Sequence, residues 1–245
     1  MPAAGAVMTP KPCDNSPMTS YTKKSRTLKV ALLQETDRGS RDANLDAIEA
    51  GLHEAAAAGA ELVLLQELHN GPYFCQHESV KEFDQAETIP GPGTERIGKL
   101  GVLVCWDQWY PEAARLMALA GAELLLYPTA IGWDPNDTDD EKQRQRDAWI
   151  TVQRGHAVAN GLPLLACNRT GFEAAPDGGR GIQFWGSSFV AGPQGEILAS
   201  AGTDQRELLI ADIDLARSEN IRRIWPFLRD RRIDAYDDLL RRFRD

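Results

Sequence analysis

A cysteine and a glutamate each follow an apolar segment that predicts a buried strand. Cys105 comes at the end of residues 101–104, shortly before a helix that Pro111 can open. Such a strand-to-helix turn lifts a nucleophile clear of the sheet and directs the following backbone N–H groups at the carbonyl that it attacks. Glu67 follows the strand at residues 62–65. A thiol beside a carboxylate can perform acyl transfer, because the carboxylate accepts the thiol proton.

Each of these residues also has a structural interpretation. A cysteine in a strand is more often a small buried apolar residue than a nucleophile, and an acid in a loop is more often solvated. His156 lies in the middle of a predicted helix with no histidine or cysteine at ligand spacing, which indicates a structural role. The sequence predicts no metal site.

The surrounding elements alternate between strand and helix. Apolar runs and helical spacing, punctuated by Gly59, Gly121 and Gly161, indicate β-α-β units. Downstream, the Gly-Pro-Gln-Gly turn at residues 192–195 suits an antiparallel hairpin. We therefore predict one layered α/β domain with helices on the outer sheet faces. The predicted strands are 28–34, 62–65, 101–104, 124–127, 162–168, 187–191, 196–199 and 208–213, and the predicted helices start near 44, 111 and 140.

Composition excludes several classes of protein. The chain of 245 residues carries a formal charge of -9, whereas nucleic-acid binding needs clustered cations. The four cysteines contain no C-x-x-C pair, which argues against a zinc ribbon or a disulfide framework and favours a reducing, cytoplasmic compartment. No apolar run is long enough to span a membrane. We expect no nucleic-acid partner and no membrane partner.

The two ends of the chain differ from the middle. Residues 1–27 are rich in Pro, Ser, Thr and Ala, which predicts a disordered tail, with an organelle transit peptide as the alternative. The folded domain is assigned to residues 28–245, with a C-terminal arm from about residue 217. In that arm arginines alternate with acids, which indicates ion pairs within the arm rather than a basic DNA-binding patch.

Three segments carry a family resemblance: Leu-Leu-Gln-Glu at 64–67, Gly-Val-Leu-Val-Cys-Trp-Asp-Gln-Trp-Tyr-Pro-Glu at 101–112, and Trp-Gly-Ser-Ser-Phe-Val at 185–190. Together they closely resemble the nitrilase superfamily of carbon-nitrogen hydrolases, over residues 28–240. The resemblance implies an α/β fold, namely an α-β-β-α sandwich lacking some sheet strands. It also implies homo-oligomers, no cofactor and a small-molecule amide or carbamoyl-amine substrate, here one from polyamine synthesis.

Members of the family use a Glu-Lys-Cys triad. By position, Glu67 matches the general base and Cys105 matches the nucleophile. No residue matches the lysine, because residue 100 runs directly into residue 101 where the family has further strands and a lysine-bearing loop. We therefore predict an internal deletion at this point.

Two other lysines come into question as substitutes for the missing one. Lys99 lies six residues before Cys105, so on an extended strand it is roughly 20 Å away, at the opposite end. Lys142 lies in a charged segment after the following strand, and the sequence does not fix its position relative to the thiol.

The resemblance assigns further residues to the site. Trp106 is expected to offer its backbone N–H to the developing oxyanion, with its indole packed in the core. Glu112 either buttresses the site or only favours a helix N-terminus through the dipole. Trp133 either lines the substrate pocket or covers it.

The leading interpretation is a hydrolase that cleaves a non-peptide carbon-nitrogen bond through Cys105. A nitrilase-like subunit without turnover is one alternative, since the lysine is missing. An incomplete copy of a normal enzyme is another. Ammonia release compared with a Cys105→Ala variant separates the first two, and the intact mass of the native protein tests the third.

Overall fold

The computed structural model describes residues 26–71, 73, 99–175 and 178–243. The predicted tail at 1–27 therefore lies outside the described residues, apart from Arg26 and Thr27. The strands are β1 (Thr27–Gln34), β2 (Leu62–Leu65), β3 (Leu100–Val102), β4 (Leu124–Pro128), β5 (Gly132–Trp133), β6 (Leu164–Cys167), β7 (Thr170–Glu173), β8 (Ile182–Trp185), β9 (Phe189–Ala191), β10 (Ile197–Ser200) and β11 (Glu207–Asp214). The helices are α1 (Arg41–Ala57), α2 (Pro111–Leu119), α3 (Asp139–Asn160) and α4 (Leu215–Ile224), with short 3₁₀ helices at Cys105–Trp109, Ile233–Ala235 and Asp237–Leu240.

The strands of the described residues form three sheets. Their orders are β11-β1-β2, β10-β9-β6-β4-β3 and β5-β8-β7. The pairs β1–β2, β3–β4 and β4–β6 are parallel, as expected for strands joined through α1, α2 and α3, and the remaining pairs are antiparallel. The predicted hairpin is β9–β10, and it is confirmed.

Alternating side chains of the central strands build two cores. In β4, Leu124 and Leu126 face the sheet that contains β1, β2 and β11, whereas Leu125 and Tyr127 belong to the core with α2 and α3. Helix α1 contacts β1 and β11 on the other side. Two sheets therefore lie face to face with helices outside both. This is the α/β architecture, an α-β-β-α sandwich, that the sequence predicted.

Local signals set the helix ends. The Ser40 hydroxyl accepts a hydrogen bond from the Ala43 N–H at 3.2 Å, so α1 begins at Arg41, three residues before the predicted start. At the end of α3, Gly161 adopts φ +57°, the left-handed conformation that ends many helices, which confirms the predicted stop.

Several elements were not predicted from the sequence. Strands β5, β7 and β8 are only two to four residues long and come together as a separate small sheet. Helix α4 begins where the arm was predicted, because the Asp214 carboxylate accepts a hydrogen bond from the Ala216 N–H at 3.0 Å. Ion pairs occur in this region, including Arg223 with Glu219 at 2.8 Å. None of the helices in the described ranges is long and apolar enough to cross a membrane.

Candidate active site

Cys105 lies at a strained turn between β3 and α2. Val104 is still extended, whereas Cys105 has φ +49° and opens the 3₁₀ helix that leads to α2. A left-handed conformation at a residue other than glycine costs of order 1–3 kcal/mol, and such residues concentrate at functional sites. The turn leaves the thiol half-buried, and the predicted strand-to-helix presentation of Cys105 is confirmed.

Gln108 fixes this turn to the neighbouring elements. Its side chain is fully buried, and its amide nitrogen donates to the Pro128 carbonyl at 3.1 Å and to the Thr129 hydroxyl at 2.5 Å. The Trp149 indole N–H of α3 donates to the Gln108 carbonyl oxygen at 3.2 Å. The turn that carries the thiol is therefore tied to the end of β4 and to α3.

Glu67 reaches the same place from the opposite sheet. Its backbone N–H donates to the Thr129 carbonyl at 3.3 Å, just beyond the end of β4. Its carboxylate is hydrogen-bonded to the Cys105 side chain and to the Ala130 backbone N–H. The ends of β2 and β4 thus bring the predicted acid and the predicted thiol into direct contact.

The surroundings of Glu67 favour proton transfer. Burial raises the pKa of the Glu67 carboxyl, and this effect outweighs the hydrogen bonds from Cys105 and Ala130 and the positive charge of Arg169, which lower it. Its Oε2 atom is buried, and none of the described residues donates a hydrogen bond to it. A carboxylate with a raised pKa is better matched to accepting a thiol proton near neutral pH.

Neither lysine considered from the sequence contacts Glu67. The Lys142 amino group donates to the Pro135 carbonyl at 3.1 Å, near the start of α3. The Lys99 amino group lies beside Gly121, at the end of β3 opposite Cys105, as predicted. Within the described part of the chain, no lysine influences the pKa of Glu67.

Trp106 differs from the prediction. Its side chain is 66% exposed, so the expectation that the indole packs in the core is wrong. The indole N–H donates to the Tyr110 hydroxyl at 2.9 Å, and the ring meets Trp109 edge-on with centroids 6.4 Å apart. Cys105, the preceding residue, has a positive φ, and the Trp106 indole lies on the surface.

Glu112 and Trp133 lie near the site in different ways. Glu112 is exposed in the first turn of α2, where its charge favours the helix N-terminus and raises the pKa of His156, although burial lowers that pKa more. The Trp133 indole N–H donates to the Lys142 carbonyl at 2.8 Å, and its ring lies 5.5 Å from that of Trp185. His156 itself is buried and bonded to the Tyr127 hydroxyl at 3.0 Å, in keeping with a structural role.

A cavity of about 410 Å³ opens beside the thiol-bearing turn. It lies between that turn, the segment after Ala130 and the first turns of α3. Trp133 is not among the residues that line it, but its ring contacts that of Trp185, which is. The lining residues are Trp109, Ile131, Gly132, Glu141, Arg144, Gln145, Ala148 and Trp185.

Sequence reasoning missed Gln108, Ala130 and Arg169. Arg169 follows the fully buried strand β6, and a charged residue directly after such a strand is a usable signal, since strand ends meet at one edge. Ala130 acts through its backbone, so its side chain gives no signal. Among the described residues, no group of three or more His, Cys, Asp or Glu side chains is placed to hold a metal ion.

Comparison with known proteins agrees with this geometry. The profile of the family described as Carbon-nitrogen hydrolase matches residues 85–223. The chain is 34% identical to the N-carbamoylputrescine amidase of Solanum lycopersicum, over 89% of this chain and 96% of that protein. It is 32% identical to the citrullinase of Francisella tularensis, over 88% and 99% of the two chains.

Solved structures give the same result. The crystal structure of a carbon-nitrogen hydrolase from Helicobacter pylori G27 superposes with a TM-score of 0.82 at 41% identity, covering 89% of this chain and 100% of that chain. The family profile spans more than half of the sequence, and the similar enzymes are aligned almost from end to end. The chain therefore belongs to the carbon-nitrogen hydrolases of the nitrilase superfamily.

Proposed function

We propose that this chain is a hydrolase of small N-carbamoyl amines, with Cys105 as nucleophile and Glu67 as general base. The observation that carries the proposal is the hydrogen bond between the Glu67 carboxylate and the Cys105 side chain at a strained turn. That contact pairs a nucleophile with a proton acceptor, which is the minimal unit of thiol acyl transfer.

The substrate class follows from the similar enzymes. One is named for N-carbamoylputrescine and another for citrulline, and both of those compounds carry a terminal ureido group. We take N-carbamoylputrescine as the substrate, with putrescine, ammonia and carbon dioxide as products. The tryptophans of the cavity, Trp109 and Trp185, suit the aliphatic chain of such a compound.

The reaction has two halves. In the first, Glu67 accepts the thiol proton while the sulfur attacks the carbamoyl carbon, and ammonia leaves with that proton. In the second, Glu67 accepts a proton from water, the hydroxide displaces the sulfur to give a carbamic acid, and the protonated Glu67 returns the proton to the departing thiolate. The carbamic acid then loses carbon dioxide to give the free amine. In this proposal the backbone N–H of Trp106 stabilises the oxyanion in both halves.

The missing lysine is the main departure from the family mechanism. The alignment with the tomato enzyme extends over 292 positions, whereas 89% of this chain is about 218 residues, so about 74 positions of the alignment have no residue of this chain. In the described residues β3 is the last strand of its sheet and β2 is the last strand of the facing sheet. Both observations support a deletion between β2 and β3.

Loss of the lysine lowers turnover in this proposal. Removing one oxyanion donor typically costs about a hundred- to a thousandfold in rate. The buried Oε2 of Glu67, to which no described residue donates a hydrogen bond, favours the second candidate function, a nitrilase-like subunit without turnover. The same observation is compatible with an incomplete copy of a complete enzyme.

Ammonia release from N-carbamoylputrescine distinguishes these functions. Purified wild-type chain should release ammonia faster than Cys105→Ala and Glu67→Gln, even if slowly. Equal signals from all three proteins would refute catalysis by this chain and leave the silent subunit. The intact mass of the protein from its native source tests the incomplete copy.

We also propose that the chain forms homo-oligomers. Leu116 of α2 is 64% exposed, and Leu119, Ile224, Trp225 and Phe227 are exposed as well. Exposed apolar groups of this kind mark contacts between subunits. The molar mass from light scattering should exceed 27.0 kDa and should fall in a Leu116→Glu variant, and a wild-type monomer would refute assembly.

A further inference from the structure

Arg169 joins the segment after Glu67 to the core of the protein. It is 1% exposed and follows β6 after a single residue. Its Nη1 donates to the Leu68 carbonyl at 2.9 Å, and its Nη2 donates to the Gly71 carbonyl at 2.7 Å. One guanidinium group therefore holds both ends of the turn that directly follows the general base.

The guanidinium is itself fixed from other directions. Its Nε donates to the Glu173 carboxylate of β7, and its Nη2 lies 3.8 Å from the Asp37 carboxylate. The other Glu173 oxygen accepts a hydrogen bond from the Tyr73 backbone N–H at 2.8 Å. The Phe184 ring packs against the guanidinium with its centroid 5.6 Å away. A planar group with donors in a rigid fork suits such a site, whereas an ammonium group cannot reach all of these acceptors.

Leu68 shows what the arginine holds. It has φ +53°, one of three positive values at residues other than glycine within the described ranges, and it is the residue next to Glu67. Its carbonyl accepts hydrogen bonds from both Arg169 and the Gly71 N–H, the latter at 3.2 Å. A strained conformation persists only where the surrounding contacts fix it. The direction in which Glu67 leaves the chain therefore depends on these two bonds.

If Arg169 had only a structural role, its charge would lie in the core with no connection to Glu67. Instead, two guanidinium nitrogens donate to the Leu68 and Gly71 carbonyls, in the turn that begins at the residue after Glu67. The Arg169 charge also acts on the Glu67 carboxyl and lowers its pKa, against the larger effect of burial. Geometry and charge therefore connect Arg169 to the base.

We propose that Arg169 is a positioning residue that holds the Leu68 turn in its left-handed conformation and thereby keeps the Glu67 carboxylate against the Cys105 thiol. The inference rests on the proposed function only in taking Glu67 as the acceptor of the thiol proton. It requires no turnover, so the chemistry of the thiol can test it.

The test measures the alkylation rate of Cys105 by iodoacetamide at pH 7, followed on the Cys105 peptide by mass spectrometry. Glu67→Gln should slow alkylation by about a hundredfold, because a general base is lost. Arg169→Lys should slow it by about tenfold, since the charge remains but the base is misplaced. Leu68→Gly in the Arg169→Lys chain should restore at least half of the loss, because glycine adopts the turn without strain. Leu68→Ala is the matched control and should restore none.

The outcomes separate the two claims. If Glu67→Gln reacts like wild type, the proposed role of Glu67 is wrong. If Glu67→Gln is slow but folded Arg169→Lys reacts like wild type, only the positioning role of Arg169 is overturned. Equal recovery by Leu68→Gly and Leu68→Ala would also overturn it. If circular dichroism shows that Arg169→Lys does not fold, Glu173→Gln replaces it. This variant should slow the alkylation of Cys105 by about threefold, and Leu68→Gly but not Leu68→Ala should restore the rate. An unchanged alkylation rate in Glu173→Gln overturns the proposal.

Discussion

Replacing Glu67 with glutamine should make the protein more stable at neutral pH while it removes the proposed general base. Burial is the largest influence on the pKa of Glu67 and raises it, so the ionised carboxylate is less favourable in the folded state than in the unfolded chain. One of its oxygens is buried with no donor among the described residues. Glutamine keeps an acceptor for the Ala130 N–H and the Cys105 thiol and removes the charge.

The size of the effect follows from that oxygen. A buried acceptor left without a partner costs about 1–3 kcal/mol, and part of this returns as the unpaired amide of the variant. We therefore expect a gain of about 1 kcal/mol in the free energy of unfolding at pH 7, or about 2–4 °C in Tm for a chain of this length.

The gain must also depend on pH. The protonated Glu67 carboxyl contributes stability that is fully present below its ordinary pKa of 4.5 and is lost as the pH rises through the higher folded value. The advantage of Glu67→Gln should therefore shrink as the pH falls from 7 and vanish below 4.5. Urea unfolding at several pH values measures it.

Glu141 provides the matched control. It also lies at the candidate site, but its pKa is lowered by hydrogen bonds from Arg144 and Gln145, so Glu141→Gln should give no gain at pH 7. A Glu67→Gln variant that is less stable than wild type at pH 7, or whose gain is the same at every pH, would refute the reasoning.

Three further predictions concern other parts of the site and the fold. Burial raises the pKa of Cys167 to about 12. In the native protein at pH 8, Cys167 should therefore be alkylated about a hundredfold more slowly than Cys105, and urea should abolish the difference. Equal rates in the native protein would show that Cys167 is accessible. A Gly132→Ala variant places a Cβ against the Gln183 carbonyl of the paired strand and should lower the free energy of unfolding by about 1–3 kcal/mol. Gly155→Ala is the control, because it lies in open space on a helix and should raise the free energy of unfolding by about 0.5–1 kcal/mol. Thermal unfolding measures both, and equal Tm values would contradict the prediction. Added ethylammonium should increase the rate at which the chain forms putrescine from N-carbamoylputrescine, and the increase should saturate. The reason is that its ammonium group can replace that of the absent lysine beside the Glu67 oxygen that has no hydrogen-bond donor among the described residues. The same increase in a Cys105→Ala chain would rule out rescue.

The parts of the fold that the sequence predicted are those with strong local periodicity. Strand β4 is a continuous apolar run, β1 contains the apolar run 30–33, and α3 has a clear stop at Gly161. The start of α1 was placed too late, because its first turn is polar and is defined by the Ser40 cap. Strand β5 has only two residues, and β7 and β8 contain polar residues or glycine instead of a continuous apolar run, so these strands depend on pairing with one another.

The candidate site shows the same division. Cys105 and Glu67 could be predicted, since each follows a strand whose end is visible in the sequence, and the structure brings them into contact. The exposed indole of Trp106 was not predicted, because its direction depends on the backbone angle of the preceding residue. Gln108 and Arg169 hold the site through partners 20 residues or more away in the sequence, and no local pattern reveals such contacts.

The position of β3 at the edge of its sheet in the described residues links the reactivity of the Cys105 thiol to self-association of the chain. In the described part of the protein β3 has a neighbour only on the β4 side, and Val102 is 47% exposed. Unpaired backbone groups beside an exposed apolar side chain recruit further strands. A chain that added itself there would lie beside Cys105, the proposed nucleophile, so self-association and loss of thiol reactivity should rise together with protein concentration.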